Sequence, residues 1–303
     1  AGNDKQGNRD YINEECYSIA IGYNAGNDEQ SKYSLAIGYE AGKASQKLYS
    51  IAIGREAGTK TQGESSIAIG NKAGNIDQSN NSIAIGKQAA FTNQKVYSIA
   101  IGNNAGYQNQ DEHSIALGHG VGQTSQGHHS VGIGVSTAHE NQGSYSIAIG
   151  TETGRISQGE SSIAIGYNAG NDKQSNYSLA IGREAGTETQ GESSIAMGFQ
   201  AGKKTQQLFS IAIGRAAGKT SQGAYSIAMG YEAGMGPETD MGPGAGNTSH
   251  GGHSLAIGTW SGYSNQGSYS VALGPSAGRT NQTGSSVAVG NSAGNTNQGG
   301  RAV

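Results

Sequence analysis

Five residues return every 16 positions along this chain: Ser, an apolar residue, Ala, a second apolar residue and Gly. The string starts at Ser18, repeats in phase to Ser226, and resumes from Ser254 through Ser270 to Ser286. So strict a period dictates a stack of near-identical units, because each unit can bury its apolar side only against its neighbours. With the Ser of each coil as position 1, position 5 is Gly in all 18 coils, and position 9 is Gly except at Ala90 and Ala138. Position 3 is Ala except at Gly132 and Asp240, and position 13 is Gln in 16 coils, with His250 standing in once. The 28 residues from Ser226 to Ser254 divide into a shortened coil at 226–237 and a degenerate coil at 238–253, which keeps Gly242, Ala245, Gly246 and His250 in register. Residues 1–17 read as a partial coil plus an irregular cap or junction segment, and residues 18–303 as the repeat array. Residues 17–58 and 161–202 echo one another, as a duplicated block of coils would.

The pattern inside each coil selects strand over helix. Two fixed Gly per coil break any helical stripe, at about 1 kcal/mol each in a helix interior. Positions 1–4 alternate polar, large, small, large, the period-two signature of a strand. Each coil is therefore expected to give a short strand, a Gly corner and a polar return through position 13. The fold class is all-β, a parallel β-solenoid (β-roll) of 16-residue coils, which at a ladder spacing of about 4.8 Å extends roughly 90 Å. The apolar residues at positions 2 and 4, with Ala at position 8, are expected to fill a thin core. The Gln at position 13, from Gln30, Gln46, Gln62 and Gln78 onward, is expected to form an amide ladder from coil to coil. Position 3 points away from positions 2 and 4. A solvated position would vary, yet this one is Ala, a poor strand former. The expectation is that the Ala face packs against another chain in a homo-oligomer, so that Ala148→Arg should disrupt association.

Composition serves mainly to exclude. The net charge is -3 with mixed signs and no basic run, which argues against a nucleic-acid partner. No apolar stretch approaches the ~18 residues of a membrane span, so membrane insertion by this chain is not expected. The chain opens AGNDKQ without Met, so Ala1 follows a processing event or the sequence is part of something longer. Cys16 is the only cysteine, and is either a small buried residue or an interchain cross-link. The variable positions, which include Tyr23, Arg55, Lys87, Arg183, Glu188 and Lys204, form a solvated rim.

No catalytic constellation emerges, and the expectation is no enzyme, no cofactor and no metal. The position-1 serines belong to the repeat. The His119, His128, His129 and His139 cluster reads as solvated rim, with a metal site as the alternative. Asp28, Asp77 and Asp172 read as turn residues. No phosphate loop precedes a helix, and Thr59, Thr61, Thr187 and Thr189 are too sparse for a regular Thr face. Tyr recurs at position 16 (Tyr33, Tyr49, Tyr97, Tyr145, Tyr177, Tyr225, Tyr269), with Phe209 once. That row is either a packing ladder or a strip for a glycan or protein partner. Trp260 alone defines no site.

The unit Ser-Ile-Ala-Ile-Gly-x-x-Ala, carried in recognisable form from Ser18 to Val289, resembles the head repeat of trimeric autotransporter adhesins of the YadA-like type. The resemblance implies a left-handed parallel β-roll, three chains side by side with the Ala face toward the axis, displayed on a cell surface. The coil here is longer than the usual unit of that family, with an added Gln-containing turn. The resemblance implies a non-enzymatic structural or adhesive fibre element, extracellular or on the cell surface, with host, matrix or glycan molecules as ligands. The alternative is a subunit of an extracellular or viral filament, on a virion surface in the latter case, joining end to end through open solenoid edges.

Overall fold

The structure, a computed structural model, describes residues 17–235 and 250–303. The chain divides into two compact units, Ala1–Ile149 and Gly150–Val303. Each is a parallel β-solenoid of about 16-residue turns, without a helix among the described residues. In the first unit, the strands at positions 2–4 run from Ile19–Ile21 to Val131–Val135. Each pairs parallel with the strand 16 residues on, as in Leu35↔Ile51, Ala36↔Ala52 and Ile37↔Ile53. A second ladder ends at the repeated Gln, with Ser45↔Thr61 and Gln46↔Gln62. The second unit repeats this, from Ile163–Ile165 on Leu179–Ile181 to Val271–Leu273 on Val287–Val289. Its second ladder runs from Ser157–Gln158 to Ser221–Gln222.

The two faces of the first strand are the reverse of the expectation. Ala36, Ala52 and Ala68 at position 3 are fully buried, as are Ala41, Ala57 and Ala73 at position 8. The Ile pairs at positions 2 and 4, such as Ile51 and Ile53, are only half-buried and point outward. The reason is the width of the interior. A Cβ placed on Gly42 would sit 3.4 Å from the Ala36 methyl, so the two walls already touch with nothing larger than Ala between them. The constancy of position 3 therefore reports on sterics inside one chain. Ala148 is likewise fully buried, so an Arg there would break the coil itself rather than an association.

The Gln residues are the largest fully buried side chains, and they do not form the expected ladder. Gln46 Nε2 donates to the Leu35 carbonyl of its own coil at 2.8 Å and to the Ser50 carbonyl of the next at 3.3 Å. The Gln thus crosses the interior and ties the second strand to the first. Ser50 Oγ closes the turn on the Lys47 carbonyl at 2.6 Å. Gln46 Oε1 and most of its counterparts in other coils lack a hydrogen-bond donor. They press instead against the α-carbon of position 9, where a Cβ on Gly42 would come within 2.6 Å of Gln46 Oε1. That approach, with a φ of +54°, explains the Gly at position 9. One Gln–Gln rung exists among the described residues, Gln94 Nε2 to Gln110 Oε1 at 3.2 Å, and it begins in the coil where Ala90 replaces that Gly. Position 5 is Gly for a second reason. At Gly54, φ is +127° and a Cβ would lie 2.6 Å from the Gly70 carbonyl oxygen one coil on.

The reading of 226–253 as two coils also needs correction. Ile227 pairs with Leu255, Ala228 with Ala256 and Met229 with Ile257. Gln222 bridges His250 directly. The described residues thus make one coil, which runs from Ser226 to Met235 and resumes at His250. The apparent register at 238–253 rested on Gly and Ala, which are abundant everywhere in the chain. Residues 1–16 and 236–249 lie outside the described residues, and so do Cys16, most of the expected N-terminal cap and the register assigned to Gly242, Ala245 and Gly246.

Candidate interaction surfaces

Parallel stacking in register turns a two-residue motif into a long surface. In each unit the outward Ile of one coil lies beside the Ile of the next, as in Ile51↔Ile67 and Ile53↔Ile69. Ile101, Ile149 and Ile257 remain 39%, 36% and 39% exposed. Exposed apolar residues scattered singly need no explanation, but a contiguous aliphatic band marks a contact surface.

Two edges flank this band. On one, the position-16 residues are held in the left-handed region, with φ of 57° at Tyr33 and 56° at Tyr49. Tyr17, Tyr33 and Tyr49 stack at centroid separations of 5.4 and 5.3 Å. Tyr97, His113, His129 and Tyr145 form a second column at 5.0, 4.8 and 5.1 Å. Stacking covers the ring faces and leaves edges and hydroxyls outward, which favours the packing-ladder reading over a sugar-stacking strip.

The histidines singled out in the sequence lie in different settings. His113 and His129 are consecutive rungs of that column, and His128 meets His129 and Tyr145 edge-on. His119 ends a strand opposite Val135, and His139 lies 3.6 Å from Glu140. Among the described residues no three metal-ligating side chains converge. Ser144 Oγ lies 2.8 Å from His128 Nδ1, yet no carboxylate among the described residues bonds that ring, so a nucleophilic triad is not formed.

On the other edge, within the second unit, position 6 alternates aromatic and Arg. The Arg183 guanidinium lies over Tyr167 at 5.9 Å and Phe199 at 5.6 Å. Arg215 lies over Phe199 at 5.7 Å and Tyr231 at 5.3 Å. Beyond them Trp260 meets Tyr231 edge-on and donates to Glu232 at 2.9 Å, while Arg279 lies 5.1 Å over Trp260 and 5.9 Å over Tyr263. Trp260 is thus part of a strip. Lys203 and Gln200 bond Glu184 from the next coil at 2.6 and 2.9 Å and hold its carboxyl below the usual range. Burial, with Lys203 nearby, pushes the Lys219 ammonium down. The sequence analysis placed Arg183 on a solvated rim. The signal for the strip was the 16-residue spacing of Tyr167, Arg183, Phe199, Arg215 and Tyr231.

The first unit carries an open polar groove of about 590 Å³ among residues 93–143. Asn93 donates to Asn109 along it at 3.0 Å. No helix among the described residues is long and apolar enough to cross a membrane.

Residues 46–73 and 157–169 each match the family model of the YadA head domain repeat. The matched stretches begin at a buried Gln or its neighbouring Ser and run across the Ile-Ala-Ile strand or the turn beyond it. That family is a structural adhesin domain rather than an enzyme family. No curated protein matches the chain.

Proposed function

We propose that the chain is the head of a trimeric, YadA-like surface adhesin: a left-handed β-roll, three copies of which pack their Ile bands toward a common axis. The observation that carries the reading is the outward aliphatic band, continuous along each unit, on a fold whose repeats match the YadA head. Buried apolar area yields about 25 cal/mol per Å², and a band repeated at every coil offers a large total to a partner with the same period. A second copy of this chain has that period by construction. The assembled head is displayed outside the cell, where its edges meet host or matrix molecules. The chain performs no catalysis.

The test is the absolute mass in solution, by light scattering on the full chain. A discrete mass of three chains supports the head. Open-ended polymers would move the protein to the filament reading, and a stable monomer would sink the trimer.

A further inference from the structure

We propose that the Arg–aromatic strip of the second unit is a binding site for an anionic polysaccharide. This names the ligand class for the adhesive reading above, but it stands on a different surface from the Ile band. Three observations carry it. First, the strip is built. Arg183 and Arg215 each lie between rings of the preceding and following coils, and Arg279 lies over two rings of the preceding coil; such stacking keeps the planar N–H edge directed away from the rings, the geometry that pairs with carboxylate or sulfate groups. Second, Arg215 and Arg279 make no ion pair among the described residues, whereas Arg183 has Glu184 at 3.4 Å and Arg55, in the first unit, has Glu56 at 3.0 Å. Glu232, the carboxylate next to Tyr231, accepts from the Trp260 indole. Two stacked cations are thus left for an outside anion. Third, the strip is periodic at position 6 from Tyr167 to Tyr231, and Trp260 at position 7 and Arg279 at position 10 extend it. Its rungs advance by the ladder step of about 4.8 Å, comparable to one pyranose ring along an extended chain, and Arg183 and Arg215 recur at every second step. A linear polymer with acidic groups at regular intervals can meet successive guanidiniums while its sugar rings lie along exposed parts of Trp260 and Tyr231.

An acidic protein segment is the competing partner, and the test separates the two. The full chain is passed over immobilised heparin, with dextran as neutral control and poly-glutamate as peptide polyanion. Retention on heparin that falls with salt, with none on dextran and weaker retention on poly-glutamate, is expected. Arg215→Ala with Arg279→Ala should weaken heparin binding at least about tenfold, the scale of losing charge-assisted hydrogen bonds. Arg55→Ala, an ion-paired Arg over Tyr39, should leave it unchanged. Circular dichroism of each variant checks that the solenoid is intact, and Arg215→Lys with Arg279→Lys, which keeps the charge but loses the planar fork, should bind between the two. The proposal is overturned if wild type ignores heparin, if the double Ala variant binds as wild type does, if Arg55→Ala weakens binding equally, or if poly-glutamate binds as well as heparin. Mass measured on the same samples keeps the readings apart: a monomer that binds heparin sinks the trimer alone, and a trimer that ignores heparin sinks the strip alone.

Discussion

Val121 occupies position 8, where most coils carry Ala, and it is fully buried. At position 3 of the next coil, Gly132 replaces the usual Ala, and a Cβ there would lie 2.7 Å from Val121 Cγ1. One residue has gained the volume that its neighbour gave up, as close packing demands. Gly132→Ala alone should overpack the interior and cost about 1–3 kcal/mol. Val121→Ala alone should leave a void at a cost of about 1–3 kcal/mol. Together they restore the Ala–Ala pair found elsewhere, so denaturant midpoints of the four proteins should show strong favourable coupling. Additive losses would mean that the two sites do not share space. Both exceptions were visible in the sequence, but their mutual contact was not, because it requires knowing that position 8 of one coil faces position 3 of the next.

At the scale of the strand, the period was fully legible and the direction was not. Alternation shows which residues share a face, and nothing in Ile-Ala-Ile alone says which face is inside. The deciding signal was elsewhere in the coil: a Gly at position 9 opposite a Gln at position 13 leaves an interior too narrow for Ile. Sequence analysis read that Gln as a ladder and so missed its role as a cross-tie. Neighbouring residues of one strand, Ile99–Ile101, test the assignment. Ala100 is fully buried, and Ala100→Arg should unfold the local coils, with loss of β signal and a lowered melting temperature. Ile101→Glu, on the outer face, should leave the β signal intact and reduce the mass in light scattering. The opposite pattern would restore the Ala face as the interface. Gln110→Leu, which removes the donor to the Ile99 carbonyl at 2.7 Å, should destabilise by about 1–3 kcal/mol. A melting temperature equal to wild type would show the cross-tie to be dispensable.

For the whole molecule, each coil leans only on its neighbours, so an irregular coil is a local fault in a sum of similar terms. The coil that begins at Ser226 is that fault. It completes its turn with His250 where other coils have Gln, and neither imidazole nitrogen makes a hydrogen bond of good geometry. Burial among Ala228, Gly234 and the flanking Gln222 and Gln266 drives the His250 pKa from 6.5 down to about 4, against a weaker upward pull from Gln266. The folded coil thus holds a neutral ring, while the unfolded chain takes up a proton as the pH falls below 6.5. The contribution is whole above that pH and shrinks toward pH 4, by about 3 kcal/mol in all. His250→Gln should flatten this slope between pH 7 and 4 and raise the melting temperature through the cross-tie that Gln makes elsewhere. An unchanged slope would assign the acid sensitivity to other groups. The same geometry makes a stronger prediction about length. Ten residues from Ser226 to Met235 and four from His250 to His253 need two more to complete a regular coil. Replacing residues 236–249 by a Ser-Asn pair, together with His250→Gln, should therefore yield a folded solenoid with a melting temperature at or above that of wild type. A collapse of the β signal would show that residues 236–249 contribute to the stack, and that the pairing of Ile227 with Leu255 depends on them.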